Sequence, residues 1–434
     1  MNIQTAILEY AQKLSALDFC PPSSVRILVQ DGHTVYATPA GADLSALTEA
    51  DITDVTGTTL LWKAALIRSR WNAMIVAEPR YTCLCFEECY EMPSVLDDMA
   101  QIAGLKVSWC EPDRPGLKAA LRLSPVAVTQ KGQALACGRT LYEAMNCLMI
   151  LEKNAEVFMK SEILDYAPAV RAGDALLENA VYWGKYSRQE QKFRKSAESG
   201  VPETGEFSSA ETASAESASA LPETPEAVST PEPPETAADS ESEARRATRK
   251  EEILRDLLVT YGNKMLASGL VYGTWGNCSV RLDDEWMLCT PSGLDYSRLK
   301  PEDMVKVRLE TLEYEGTQKP TSEKGFHAGL YLKRPEIGAV LHTHSKYACI
   351  FAACDTPLVL SNNEEITCAK YALSGTKRLS ANVIRAVGDG IGCLMSHHGL
   401  VAVGRDLEEA YRRCYDIEES ARSYIDDKWA RRQK

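Results

Sequence analysis

Histidine is concentrated in one short part of this chain of 434 residues. Five of the six histidines lie between residues 327 and 398. His342 and His344 end an apolar run that predicts a strand, and because side chains alternate between the two faces of a strand, both imidazoles lie on the same face. A third candidate, His398, precedes Gly399, where the missing side chain lets backbone and metal approach closely. The spacing therefore predicts a shared metal site.

This histidine pattern has two possible interpretations. An isolated His-x-His is more often a pair of polar residues at the end of a strand than a metal site. Three histidines that leave one coordination position open are typical of catalytic zinc, and imidazole ligands also suit cobalt, manganese or iron. The third histidine therefore favours a catalytic site, with zinc as the expected ion.

Glu323 is a candidate acid/base. It lies just before or at the start of a helix predicted around 326–333. It is therefore either a capping residue that stabilises the first helical turn or a carboxylate that transfers a proton beside a polarised carbonyl. His327 lies four residues later on the same helical face, and we interpret it as an orienting or packing residue rather than a ligand.

Three turns carry small polar residues that could bind a phosphate. They lie at 276–279, 290–293 and 321–322 and contain glycine, asparagine, serine and threonine. Backbone amides at glycine turns and at a helix N-terminus, joined by hydroxyls, form a cradle for a phosphate group. Each segment alone is an ordinary turn, so the prediction depends on their occurring together.

The elements that must position these residues are those of a mixed α/β domain. A helix is predicted to start near Lys250, because apolar residues recur there at helical spacing. Further predicted elements are strands over 279–282, 286–289 and 337–343 and helices over 326–333 and 406–425. A helix equivalent to the last of these begins near Thr140 in the first half.

A segment of biased composition separates the two halves. Residues 197–243 hold twelve Asp or Glu, no Lys or Arg, and a single aromatic residue. Such a composition cannot bury enough apolar surface to fold, so we predict a disordered, acidic linker over 193–247 between domains at 1–192 and 248–434. Because these twelve charges nearly account for the net charge of −13, the folded parts are close to neutral, and we expect no nucleic-acid partner.

Composition also limits the cellular context. The chain is 45% apolar and 25% charged, which is ordinary for soluble globular proteins. No apolar run approaches the roughly eighteen residues of a membrane span, and the first residues lack the pattern of a secretory signal. We therefore expect a cytoplasmic protein with no membrane partner, whose fourteen cysteines are reduced thiols.

The chain is similar to itself at an offset of 266 residues. The identical pairs are Arg68/Arg334, Ala73/Ala339, Tyr81/Tyr347, Cys83/Cys349, Gly138/Gly404, Arg139/Arg405, Leu141/Leu407, Glu143/Glu409, Ala144/Ala410, Glu152/Glu418 and Ala155/Ala421. One constant offset in two separated segments is hard to obtain by chance, so we predict an internal duplication of one fold.

The motifs of the second half together resemble the class II aldolase/adducin family, most closely its L-fuculose-1-phosphate aldolase branch. The resemblance covers about 250–430, with the motifs in the family's order. The matching motifs are Gly276-Asn277-x-Ser279, Thr290-Pro291-Ser292-Gly293, Thr321-Ser322-Glu323, His342-Thr343-His344-Ser345, the segment 369–376, and His397-His398-Gly399-Leu400. The implied fold is α/β, with two tandem three-layer α/β/α domains, each with a central, largely antiparallel sheet.

The resemblance also implies a role for each motif. It makes Glu323 the catalytic acid/base and Tyr371 a proton donor that, in the family, a neighbouring subunit contributes. The implied zinc ligands are His342, His344 and His398. The implied phosphate contacts are Asn277, Ser292, Gly293, Thr321 and Ser322.

The implied activity is that of a zinc-dependent lyase, the cleavage of a small ketose phosphate such as L-fuculose 1-phosphate to dihydroxyacetone phosphate and an aldehyde. The metal would stabilise the negative charge that develops as the carbon–carbon bond breaks. Glutamate at position 323 favours this reaction over 4-epimerisation, because the family's ribulose-phosphate 4-epimerases commonly have aspartate there. A sugar-phosphate dehydratase or 4-epimerase of the same family remains an alternative, and a non-catalytic, adducin-like interaction module is a second one.

The first half lacks every implied site residue. At the same offset, the residues opposite the acid/base, the first two histidines, the tyrosine and the third histidine are, in that order, Gly57, Val76, Glu78, Leu105 and Gly132. We predict that this half keeps the fold without a metal site and occupies the place of a neighbouring subunit. Two chains would then form a four-lobed homo-oligomer.

Overall fold

The chain folds into two α/β domains in tandem, as the sequence predicts. The computed structural model describes residues 2–59, 61–67, 71–129, 132–186 and 237–432. Most of the linker predicted over 193–247 lies outside the described residues. The helix expected near Lys250 begins earlier, at Ala237, so the end of that segment is helical. The added turns are rich in alanine, glutamate and arginine, which have high helix propensity.

The N-terminal domain has eight strands and seven α-helices among its described residues. The strands are β1 (Arg26–Asp31), β2 (Thr34–Ala37), β3 (Thr53–Asp54), β4 (Ala73–Ala77), β5 (Glu91–Pro93), β6 (Lys106–Cys110), β7 (Val126–Thr129) and β8 (Ala134–Gly138). The helices are α1 (Ile3–Ser15), α2 (Leu61–Ile67), α3 (Arg80–Glu88), α4 (Asp97–Ala103), α5 (Arg114–Leu123), α6 (Leu141–Lys160) and α7 (Ala172–Val181). The helix predicted near Thr140 is α6, and Thr140 caps it by accepting the backbone N–H of Glu143.

The C-terminal domain has ten strands and five α-helices among its described residues. The strands are β9 (Asn277–Arg281), β10 (Trp286–Cys289), β11 (Val305–Arg308), β12 (Tyr314–Glu315), β13 (Ala339–Thr343), β14 (Leu358–Val359), β15 (Glu365–Ile366), β16 (Cys368–Ala369), β17 (Gly392–Met395) and β18 (Gly399–Gly404). The helices are α8 (Ala237–Ala267), α9 (Lys324–Lys333), α10 (Lys346–Ala353), α11 (Lys377–Val387) and α12 (Leu407–Arg432). Every strand and helix predicted in this half is present, and α12 continues past its predicted end.

Each domain contains an eight-stranded sheet, and the two sheets have the same plan. The strand order is β3-β2-β1-β4-β8-β7-β6-β5 in the first and β12-β11-β10-β9-β13-β18-β17-β16 in the second. Neighbouring strands are antiparallel except for one pair in each sheet, β6–β7 and β16–β17. The prediction of a central, largely antiparallel sheet in each half is therefore confirmed.

Helices cover both faces of each sheet. In the C-terminal domain, β13 presents Leu341 to a core formed with α8, α10 and α12, and Val340 to a core formed with α9 and α11. In the N-terminal domain, β4 presents Ile75 to α1, α3 and α6, and Met74 to α2 and α5. A strand buried on both faces is a continuous apolar run rather than an alternating one. The predicted three-layer α/β/α arrangement is therefore present in both halves.

The sequence offset has a structural counterpart in a pair of buried carboxylates. Glu152 on α6 accepts two backbone N–H groups at the start of α3, at 2.7 and 2.8 Å. Glu418 on α12 accepts two at the start of α10, both at 2.8 Å. Burial raises the pKa of Glu152 to about 7 and also raises that of Glu418. The same interaction at equivalent places supports the predicted duplication.

The two domains share an apolar core. Val95, Leu96 and Val157 of the N-terminal domain belong to the same buried cluster as α10 and α12. At its edge, the Lys160 ammonium forms an ion pair with Asp426 at 3.0 Å. This interface holds α4 and α6 of the first domain against the second domain.

Two further observations concern the chain as a whole. The fourteen cysteines are free thiols. Within the described ranges, none of the helices has both the length and the apolar content that crossing a lipid bilayer requires.

Candidate active site

Three histidines meet at the end of the central strand of the C-terminal sheet. His342 lies on β13, His344 follows it two residues later, and His398 lies in the turn between β17 and β18. Their ring centroids are 4.7 to 5.0 Å apart, and all three residues are buried. Gly399 allows this approach, because a Cβ there would lie 2.2 Å from the carbonyl oxygen of Thr343. The structure thus brings the three expected ligands together.

One nitrogen of each of the three rings faces the other two rings. His342 donates from Nδ1 to the carbonyl of Leu400, and His398 donates from Nδ1 to Asp97, both at 3.0 Å. The Nε2 atoms of His342 and His344 are 2.9 Å apart, and one nitrogen of each of the three rings lies within 4.8 Å of the others. A neutral imidazole protonated at Nδ1 carries a lone pair on Nε2. This donor set fits a divalent cation.

Glu323 lies beside the same nitrogens. Its side chain makes no capping bond to α9. Instead, the carboxylate accepts hydrogen bonds from the Asn277 amide at 2.9 Å and the Ser374 hydroxyl at 3.2 Å. It lies 3.3 Å from Nε2 of both His342 and His398. The structure therefore places this carboxylate where it could hold a cation together with the histidines, a role that the sequence did not suggest.

Charge and burial set the protonation of this cluster. Burial raises the pKa of the Glu323 carboxyl, but the two imidazoles and the donated bonds outweigh it and bring that pKa well below its ordinary value. Burial lowers the pKa of His342 to about 4 and that of His344 well below its ordinary value. Burial also lowers the pKa of His398, but Glu323 and Asp97 raise it well above its ordinary value. The ionised Glu323 carboxylate therefore faces two rings that burial keeps neutral, His342 and His344, which is the form of histidine that binds metals. It also favours the protonated form of His398, which would lose its Nε2 proton when it binds a cation.

A chain of hydrogen bonds fixes the amide that holds Glu323. Because the Asn277 nitrogen faces this carboxylate, its oxygen accepts from His327 Nε2 at 2.6 Å. His327 Nδ1 must then accept from the Ser279 hydroxyl at 2.7 Å, and Ser279 in turn accepts from Tyr331 at 2.8 Å. Burial lowers the pKa of His327 to about 3, which keeps the ring neutral. His327 thus has an orienting position, as the sequence suggested.

The expected phosphate contacts line one cavity next to the histidines. The predicted residues in its wall are Asn277, Ser292, Gly293, Thr321 and Ser322. Two backbone bonds hold their loops side by side, from the N–H of Ser292 to Lys319 at 2.8 Å and from the N–H of Thr321 to Thr290 at 3.1 Å. Gly293 has a φ of +77°, a conformation that favours glycine. Glu323, His344 and His398 line the same cavity.

Tyr371 has a different position. Its hydroxyl donates to Asp97 of the N-terminal domain at 2.9 Å. Its ring centroid lies 5.7 Å from that of His397, and among the described residues it is not part of the cavity wall. The expected role as a proton donor therefore stays a prediction, since within this chain the hydroxyl meets Asp97.

The first domain also contributes to this site, through residues that the sequence analysis did not name. Gln101 on α4 and Tyr182 after α7 line the cavity, and Tyr182 stacks on Trp275 with ring centroids 6.0 Å apart. Asp97 bonds His398. One local feature of the sequence could have drawn attention to α4, because the acidic pair that begins this helix stands within an otherwise apolar run. Its partner is some 300 residues away in the chain, so no spacing rule could connect them.

The C-terminal part of the chain is similar to a known family of proteins. The model of the family "Class II Aldolase and Adducin N-terminal domain" matches residues 256–425. A 5-methylthioribulose-1-phosphate/5-deoxyribulose-1-phosphate aldolase from Rhodospirillum rubrum is 36% identical over 178 residues, which cover 39% of this chain and 80% of that protein. An L-fuculose phosphate aldolase from Haemophilus influenzae is 33% identical over 169 residues, which cover 37% of this chain and 77% of that protein.

A third relative carries a different name. It is a 3-oxo-tetronate 4-phosphate decarboxylase from Haemophilus influenzae, 30% identical over 186 residues, which cover 39% of this chain and 86% of that protein. The chain therefore belongs to the class II aldolase and adducin family, as its motifs suggest. It is a lyase of that family.

Proposed function

We propose that the chain is a zinc-dependent aldolase that cleaves a small ketose 1-phosphate to dihydroxyacetone phosphate and an aldehyde. The observation that carries this proposal is the placement of Glu323 at 3.3 Å from Nε2 of both His342 and His398. A scaffold without catalytic function would have no use for a buried carboxylate and converging imidazoles beside an open cavity. Cobalt, manganese or iron would also suit the three rings.

The proposed mechanism assigns one task to each part of the site. The residues expected to hold the metal are His342, His344 and His398. A bound divalent cation would supply Lewis acidity, which stabilises negative charge on the substrate oxygens during cleavage. Glu323 transfers the proton on the enediolate side, held in place by Asn277 and Ser374. The loops at 290–293 and 321–322 bind the phosphate and so position the substrate.

An aromatic pair in the wall of the cavity suggests which end of the substrate that part of the cavity receives. Tyr182 and Trp275 present stacked aromatic rings there, and aromatic surface suits an apolar group. Two of the relatives are named for ketose phosphates, and one of these names specifies a 5-deoxy and a 5-methylthio sugar. We infer that the aldehyde half of the substrate ends in an apolar group near this pair.

The proposal is tested on the purified full chain. Bound metal is measured first, and dihydroxyacetone phosphate release is then assayed with L-fuculose 1-phosphate, 5-deoxyribulose 1-phosphate and 5-methylthioribulose 1-phosphate. We expect metal-dependent release from at least one of them. Release of CO2 from a 3-oxo-tetronate 4-phosphate, with no cleavage of any ketose, would instead support the reaction for which the third relative is named. Absence of bound metal and of any turnover would contradict the proposal.

The phosphate contacts make a separate prediction. Ser292→Asp places a negative charge in the proposed phosphate loop, and repulsion of two charges a few ångströms apart near a protein surface is worth about 1 to 4 kcal/mol. We therefore expect KM for phosphorylated substrates to rise at least about fivefold, with a smaller change in kcat. Ser297→Asp, on an exposed residue of the same segment, is the matched control and should leave KM unchanged. An unaltered KM in Ser292→Asp would remove the phosphate assignment.

Assembly and location also belong to the proposal. If the first domain fills the place of a neighbouring subunit, two chains suffice for the four-lobed arrangement expected from the sequence. We also propose that Tyr371 acts from a neighbouring chain, as the family resemblance implies. The composition of the chain leads us to propose a cytoplasmic location.

A further inference from the structure

The N-terminal domain places two adjacent carboxylates against the histidines of the other domain. Asp97 and Asp98 begin α4, and at most 1% of either residue is exposed. Asp97 accepts a hydrogen bond from His398 Nδ1 at 3.0 Å. Asp98 lies 3.6 Å from His344 Nδ1. Both contacts are made to the ring nitrogen that faces away from the other histidines.

Two hydrogen bonds attach the start of α4 to the turn between β17 and β18, which carries His397 and His398. The N–H of Asp97 donates to the carbonyl of His397 at 2.8 Å. His397 Nδ1 donates to the carbonyl of Val95 at 2.9 Å. His397 has a φ of +58°, so the turn has a left-handed residue at the point where the two domains meet. Because the bonds run in both directions, the carboxylate of Asp97 is held at a set distance from His398.

The charges of the pair are compensated within the interface. Asp98 forms an ion pair with Lys153 on α6 at 2.6 Å, and both side chains are buried. The second oxygen of Asp97 accepts from the Tyr371 hydroxyl at 2.9 Å. Buried charges without such partners would strongly destabilise the fold. Each carboxylate thus has a polar partner in the interface besides the histidine ring.

The third ring is held differently. His342 Nδ1 donates to the backbone carbonyl of Leu400, within its own domain. Two of the three outer contacts to the histidines thus come from the first domain, which has no histidine at the equivalent positions of its own sequence. Histidines that bind metals generally donate their other nitrogen to a carboxylate or carbonyl, which fixes the ring orientation and the protonated nitrogen.

We propose that Asp97 and Asp98 are positioning residues for the metal site, so that the N-terminal domain completes the site in the same chain. The proposal rests on the proposed function, because it requires that the three histidines bind a metal. Asp97 keeps the proton of His398 on Nδ1 and leaves Nε2 free for the metal. Asp98 lies 3.6 Å from His344 Nδ1, beyond hydrogen-bond distance, and favours the proton on that nitrogen through its charge.

Variants of the full chain test this inference through metal binding. The dissociation constants of zinc and cobalt are measured by competition with a chelator for wild type, Asp97→Asn, Asp97→Ala and Asp98→Asn. Removal of such an outer carboxylate typically costs about 10- to 100-fold in metal affinity, and we expect Asp97→Ala to lie in this range. Asp98→Asn should have a smaller effect, because its contact is longer. The visible absorption spectrum of the cobalt-loaded protein should also change in Asp97→Ala, since ring orientation determines the coordination geometry.

The matched control is Asp426→Asn. Asp426 is also a carboxylate of the domain interface, but it pairs with Lys160 and the Tyr347 hydroxyl. We expect wild-type metal affinity and cobalt spectrum in this variant. Wild-type affinity and spectrum in folded Asp97→Ala and Asp98→Asn would overturn the inference, whereas a wild-type chain that binds no metal would overturn the proposed function itself.

A measurement on wild type keeps the inference testable where the variants do not fold. The ring nitrogens of the zinc-loaded protein are observed by NMR after labelling histidine with nitrogen-15. We expect His398 and His344 to be protonated at Nδ1 and bound to zinc through Nε2. Binding of His398 through Nδ1 would contradict the role of Asp97.

Discussion

Glu323→Gln should lower kcat for ketose phosphate cleavage by about 10³-fold, the middle of the range for removal of a general acid/base. The substitution keeps the size of the side chain and removes its ability to transfer a proton. KM should change less, because the phosphate loops do not depend on this carboxylate for their backbone bonds. The measurement is the rate of dihydroxyacetone phosphate release at saturating metal, with metal content determined on the same sample.

The control for this variant is an exposed carboxylate near α9, the helix that Glu323 precedes. Glu336 pairs with Arg334 on the surface, so Glu336→Gln should retain wild-type turnover. Because Glu323 lies near two of the metal-binding rings, Glu323→Gln could also bind metal more weakly, and the metal measurement separates that effect from loss of proton transfer. Turnover equal to wild type in a fully loaded Glu323→Gln would remove the assigned mechanism.

His344→Ala should abolish detectable turnover and weaken zinc binding by more than about 100-fold. Loss of a carboxylate that only contacts a metal ligand costs up to about 100-fold in metal affinity, and loss of a ligand itself should cost more. The reason is that this ring is one of three that converge on a single point. A ligand that binds only the folded state stabilises it, by about 2.7 kcal/mol at a concentration 100 times its dissociation constant. Zinc should therefore raise the unfolding midpoint of wild type and leave that of His344→Ala nearly unchanged.

His33→Ala is the matched control, since His33 is an exposed residue of the first domain. It should bind zinc and turn over substrate as wild type does. Treatment of wild type with a chelator should abolish turnover, and the ion that restores most activity identifies the preferred metal. Full activity of His344→Ala, or of chelated wild type, would show that the three imidazoles do not form the catalytic centre.

The first domain has the sheet plan of the second without its three histidines, and it contributes to the site of the second. Val76 lies on β4 at the place that His342 occupies on β13. It can hold no metal, yet the same domain contributes Gln101 and Tyr182 to the cavity of its neighbour. Its α4 carries the carboxylate that bonds His398. A domain without its own site can therefore still form the wall and the outer contacts of the adjacent one.

The sequence by itself determined the features that depend on short distances along the chain. His342 and His344 lie on one face because of the two-residue period of a strand. The helices and strands of the second half follow from apolar periodicity, and the duplication follows from a constant offset. The family motifs identified Glu323, Ser292 and the other expected cavity residues, although a motif does not show which contacts its residues make.

Only the tertiary structure decided how distant segments meet. The sequence left Glu323 as either a helix cap or an acid/base, and the fold places its carboxylate beside the imidazoles. Tyr371 was expected to act through a neighbouring subunit, and the fold places its hydroxyl on Asp97. Asp97 and His398 meet because the two domains pack through apolar surfaces. That packing is non-directional and leaves no periodic signal in the sequence. Such contacts become visible only when both domains are folded and docked.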